Sequence, residues 1–88
     1  RIREVLYLES NRKKTEFHTR SSTFSVYGKA VDIIGDNKNK FVCISRGVYV
    51  NIQHIIEATT KEILLTDNSR LYISRGCQDT VRDRLSEI

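Results

Sequence analysis

The sequence predicts a mainly β domain, and three observations carry that expectation. Short apolar segments follow one another about every ten residues, the spacing of strands in an all-β domain. Proline is absent and glycine occurs four times, so no composition-marked linker, internal repeat or low-complexity tract interrupts the series. Helical spacing of apolar residues is confined to the chain after Gly76.

The elements follow in order. Val5-Leu6-Tyr7-Leu8-Glu9 reads as a strand, and Ser10-Asn11-Arg12-Lys13-Lys14 as a basic turn. Thr15-Glu16-Phe17-His18-Thr19 alternates polar and apolar residues and pairs back as a hairpin. After a Ser21-Ser22 turn, Thr23–Tyr27 is a third strand. Residues 28–35 enclose Ala30, Val31, Ile33 and Ile34 and suit a short helix ending at Gly35. Residues 36–40 form a polar loop. Phe41–Ile44 and Val48–Val50 are strands around Ser45-Arg46-Gly47. Ile55–Thr59 and Glu62–Thr66 make a second hairpin, Asp67-Asn68-Ser69 is a turn, and Arg70–Ser74 is the last strand. Cys77, Val81, Leu85 and Ile88 then recur at helical spacing, which predicts an amphipathic helix over 76–88. A helix this short is marginal alone, so it is expected to dock.

The 88 residues make one domain, 1–88, and a chain of this size buries roughly 60–65% of its unfolded surface. It starts at Arg1 and contains no Met, which reads as a module cut from a longer protein. A hydrophobic fraction of 39% and a charged fraction of 30% are those of a globular domain rather than a disordered tail. No run reaches a membrane span's roughly 18 apolar residues, and no signal peptide is visible, so no membrane partner is expected. Fifteen Lys and Arg against 11 Asp and Glu leave a net charge of +4, which permits a polyanionic partner.

Catalytic and metal chemistry find little to stand on. Cys43 lies inside an apolar strand and reads as a small hydrophobe; Cys77 stands at a helix start, where a thiol can be activated. Neither is tied by a signature to His18 or His54. The spacing of these four residues matches no zinc pattern, so no metal and no cofactor are expected. Glu57 and Glu62 are single solvated carboxylates, and the glycines form no phosphate-binding cluster. The expectation is no enzyme and no small-molecule substrate. Asn51, at a strand end, reads as a turn or cap residue. The basic residues are more informative. Arg12-Lys13-Lys14, Arg46, and Arg75 beside Ser74 sit on connections, from which Lys pairs with phosphates and Arg forks onto a guanine edge. The other reading of the same residues is a solvated rim on a protein-interaction module that docks through its helix or β-edges.

Three stretches taken together decide between these. They are Val5-Leu6-Tyr7-Leu8-Glu9-Ser10, then Phe41-Val42-Cys43-Ile44-Ser45-Arg46-Gly47-Val48-Tyr49-Val50-Asn51 with Ile55 beyond, and Leu71-Tyr72-Ile73-Ser74-Arg75. In order and spacing they resemble the LytTR domain, the DNA-binding output module of bacterial response regulators of the LytR/AgrA type. Its usual patterns are I-x-Y-I-E-S, F-x-R-I-H-R-S-x-L-V-N and L-x-V-S-R. Cys43, Ser45 and Gly47 depart from them, standing where Arg, His and Ser are common. The resemblance implies an elongated β-β-β sandwich of about ten short antiparallel strands. It implies sequence-specific binding of double-stranded DNA through loops in successive major grooves, at sites often built as direct repeats, with self-association on tandem sites. Carried over by position, Arg46 and Arg75 read or touch DNA. Asn11, Arg12, Lys13 and Lys14 match a contacting loop, with Arg12 or Lys13 reaching a base. Ser45 and Ser74 make phosphate or water-mediated contacts. The resemblance also implies a cytoplasmic bacterial transcription regulator with an N-terminal receiver.

Overall fold

A computed structural model describes residues 2–86. Eight strands lie among them: β1 (Val5–Asn11), β2 (Lys14–Thr19), β3 (Thr23–Tyr27), β4 (Phe41–Ser45), β5 (Val48–Asn51), β6 (Ile55–Ala58), β7 (Glu62–Leu65) and β8 (Arg70–Tyr72). Two helices, α1 (Ala30–Ile34) and α2 (Gln78–Ser86), complete the fold. The mainly β, antiparallel architecture is as expected. The strands form two sheets, ordered β3-β2-β1-β5-β4 and β6-β7-β8. They are fewer than the ten or so that the resemblance implies. Connecting chain that lacks apolar residues to bury winds into 3₁₀ turns instead, as at Gly35–Lys40, where a plain polar loop is expected.

Helix and strand ends move by a few residues, for identifiable reasons. α1 begins at Ala30 rather than 28, because Gly28 has φ +127° and Lys29 is extended, at φ −84° and ψ 145°. Gly76 and Cys77, expected to open the helix, instead join Arg75 in a separate 3₁₀ turn before α2. Glu87 and Ile88, also expected in that helix, lie outside the described residues. The last strand stops at Tyr72: the Ser74 N–H leaves the smaller sheet and donates to the Ile44 carbonyl of β4 at 2.8 Å. That bond ties the two sheets together.

The core is divided between the two faces of the five-stranded sheet. Leu6, Val42, Ile44 and Val50 pack between the sheets against Ile63, Leu65, Ile73 and Val81, so α2 docks through Val81. On the opposite face Val5, Leu8, Phe17 and Phe41 meet Ile34 of α1. Two-residue alternation would put Leu6 and Leu8 on one face. The β1–β2 register shifts between Val5 and Tyr7, and the irregularity sends them to different cores. Asn51 caps a 3₁₀ turn as read from sequence: its Oδ1 accepts from the Gln53 N–H at 3.0 Å, and its Nδ2 donates to the Val5 carbonyl at 2.9 Å.

Candidate nucleic-acid interface

Asn11 and Lys14 face each other at the base of the β1–β2 hairpin, which leaves Arg12 and Lys13 as its two-residue tip. Arg12 has φ 60°, and Lys13 does not share the left-handed conformation. Positive φ at the first tip residue alone is the type II′ pattern, which matches strand twist but favours glycine. A side chain there costs about 1–2 kcal/mol. Backbone strain of this kind collects at functional sites.

A second segment braces the tip. The Gly28 N–H donates to the Lys13 carbonyl at 2.7 Å, and the buried Thr15 hydroxyl donates to the Gly28 carbonyl at 2.7 Å. Lys14 Nζ lies 5.2 Å from the centre of the exposed Tyr27 ring, a cation–π distance. Asn11, Arg12, Lys13, Lys14 and Tyr27 line one shallow concavity.

The β4–β5 turn lies beside this tip because β1 runs between β2 and β5, with Glu9 opposite Val48. The Ser10 N–H donates to the Gly47 carbonyl at 2.6 Å. Gly47 has φ +80°, and a Cβ at that position would sit 3.2 Å from the Ser10 carbonyl oxygen. Glycine is therefore required twice over, by conformation and by close approach. The departure at position 47 is what lets the Arg46 turn press against the end of β1. Arg12 and Arg46 line one open concavity of about 470 Å³, together with Lys29.

Arg75 is exposed at the start of its 3₁₀ turn and does not line that concavity. Its position is set by the Ser74–Ile44 bond, which holds the β8–α2 connection against β4. Ser45 and Ser74 are half-buried, so they face outward less than the arginines do. Among the described residues no carboxylate pairs with Arg12, Lys13, Lys14, Lys29, Arg46 or Arg75. The sequence-predicted cations are thus on the surface: Arg12 lines one concavity with Lys13 and Lys14 and another with Arg46, and Arg75 lines neither.

The groups suited to catalysis are differently occupied. Burial, and then the neighbouring Cys77, push the Cys43 thiol up from its ordinary value, so it stays protonated near neutrality. Its S–H donates to the Ser45 carbonyl at 3.1 Å. His54 is structural: Nε2 donates to the Arg3 carbonyl at 2.7 Å, and Nδ1 meets the Thr66 hydroxyl at 3.0 Å. His18 stacks on Tyr7 with ring centroids 4.2 Å apart, and its Nε2 lies 3.3 Å from Glu9 and 3.5 Å from Glu16. Cross-strand register assembles this acidic trio, which residue spacing along the chain does not reveal. The His18 imidazole lies within hydrogen-bonding reach of Glu9.

Lys29 is the residue that sequence reasoning missed. Nothing within the helix expected over 28–35 marks it out; the structure makes it an extended residue between β3 and α1. Tyr27 and Gly28 escaped notice for the same reason, since only the β2–β3 pairing of Lys14 with Tyr27 brings them to the tip.

Comparison with known proteins bears on the fold and the family. No curated protein matches the chain. A LytTr DNA-binding domain from Bacillus cereus matches in structure with a TM-score of 0.76 at 21% identity, over 94% of this chain and 82% of that one. The family model of the LytTr DNA-binding domain matches residues 1–86. With the model spanning nearly every residue, this chain belongs to the LytTR family of DNA-binding domains.

Proposed function

We propose that the chain is the sequence-specific, double-stranded DNA-binding module of a bacterial transcription regulator of the response-regulator kind, and that it acts without catalysis. The observation that carries this reading is the convergence of Arg12 and Arg46, neither paired with a carboxylate among the described residues, on one open concavity at the end of the larger sheet. The hairpin tip and the Arg46 turn enter one major groove. Arg75, held on the β8–α2 connection, reaches a neighbouring one. Each Arg that forks onto a guanine supplies about 1–3 kcal/mol of discrimination. Lys13 and Lys14 add phosphate attraction that weakens with salt. Ser45 and Ser74 contribute phosphate or water-mediated contacts, and Asn11 holds the base of the tip beside the bases.

The similarity to the Bacillus cereus domain supports the fold this reading needs. Binding to tandem repeats is favoured by β3, a free edge strand with all five residues exposed, against which a second copy can lie. The test is selection of binding sites from a random duplex pool, followed by mobility shifts. Arg46→Ala and Arg75→Ala are expected to lose preference for the selected site while melting as the unmodified domain does. Full retention of that preference in both variants overturns the reading. Binding that does not weaken between roughly 50 and 200 mM salt supports a protein partner instead.

A further inference from the structure

We propose that the β3–α1 connection is a fourth DNA-contacting element, in which Lys29 grips a backbone phosphate beside the groove entered by Arg12 and Arg46. The proposal rests on the DNA-binding reading above and extends it to a segment outside the three expected loops. Three observations lead to it. Lys29 shares one concavity with Arg12 and Arg46. It is exposed, and it pairs with no carboxylate among the described residues, including Asp32 on the first turn of α1. The connection is also bolted to the hairpin tip through the Gly28–Lys13 and Thr15–Gly28 hydrogen bonds, so Lys29 holds its place relative to Arg12.

The chemistry names the ligand. Three like charges along one concave wall repel one another, and none of the described residues that line it is an anion. A phosphodiester backbone does. A lysine suits that task because its ammonium is a compact point charge without the fork that reads a base edge. Lys29 therefore contributes affinity and register, whereas the two arginines contribute discrimination.

The experiment measures binding of the whole 88-residue domain to two fluorescent duplexes, one selected from a random pool and one of scrambled sequence, across a salt series. Lys29→Gln keeps a polar, unbranched side chain only one bond shorter and removes its charge. It is expected to weaken both duplexes equally, by about tenfold near 50 mM salt, and to lower the slope of log affinity against log salt by about 0.9. Lys29→Arg is expected to restore the slope. An unchanged slope in Lys29→Gln overturns the proposal, as does a loss confined to the selected duplex. If Lys29→Gln is silent while Arg46→Ala still loses site preference, the inference fails and the DNA-binding reading stands. If the unmodified domain binds neither duplex, both fall.

Discussion

The two faces of the β1–β2 hairpin carry opposite charge. On the α1 side Arg12 and Lys29 meet Arg46 of the β4–β5 turn, with no carboxylate among the described residues paired to any of them. On the side facing the smaller sheet, Glu9 and Glu16 close on His18. Residues 9 and 16 stand opposite each other in register, and residues 7 and 18 do likewise, so alternation sends that whole set to one side. The carboxylates of the acidic face share His18 as a polar partner, whereas the cations of the basic face share none among the described residues. A net charge of +4 understates the field at the basic edge because the sheet sorts its charges by face.

Four variants break or sharpen that contrast. Gly47→Ala has the largest expected effect. A Cβ 3.2 Å from the Ser10 carbonyl, at φ +80°, costs roughly 1–3 kcal/mol and pushes the Arg46 turn away from Arg12. Thermal melting and mobility shifts are expected to fall together. Unchanged affinity in a destabilised protein would mean that Arg46 needs no fixed position beside Arg12.

Arg12→Gly comes next, with an affinity loss of about tenfold or more for a selected site, the size of one base-reading contact. Because φ 60° suits glycine, the melting temperature is expected to hold or rise. A clear fall in melting temperature would show that the tip is not strained. The double change Glu9→Gln and Glu16→Gln tests the other face. DNA affinity is expected to change by less than about twofold, since these carboxylates are engaged with His18 and point away from the basic concavity. A large gain would mean that DNA spreads over both faces.

The smallest effect concerns acid. The Ser69 hydroxyl donates to Asp67 at 2.6 Å and the Ser69 N–H at 3.0 Å, which holds this carboxyl below its ordinary value of 3.8 despite partial burial. A lowered folded pKa adds stability above the unfolded value, and that stability is lost as pH falls through the folded one. Asp67→Asn is therefore expected to flatten the loss of melting temperature below about pH 4 while leaving DNA binding at pH 7 unchanged. A steeper acid loss in the variant would contradict the direction of the shift.

Much of the fold was legible along the chain. Each strand was signalled by a short apolar segment, the Asn51 cap by its place at a strand end, and α2 by the change to helical spacing at Cys77 and Val81. The boundaries at residues 28–29 and 73–74 were not, because glycine dihedrals and a bond between sheets set them. The interface was legible in part. Arg12, Lys13, Lys14, Arg46 and Arg75 stood out as cations on connections. Lys29 did not, because only pairing of β2 with β3 brings its segment back to the hairpin tip.

By itself, then, the sequence determined the class of the fold, its family and the charges placed on its loops. Those follow from local periodicity and from residue order, which need no long-range contact. Tertiary structure alone decided which charges act together. The β3-β2-β1-β5-β4 order sets the Arg46 turn beside the Arg12 tip, and the Gly28–Lys13 bond brings Lys29 to both. The physical reason is that strand neighbours are chosen by burial of a shared face, so residues far apart in the chain come to border one concavity.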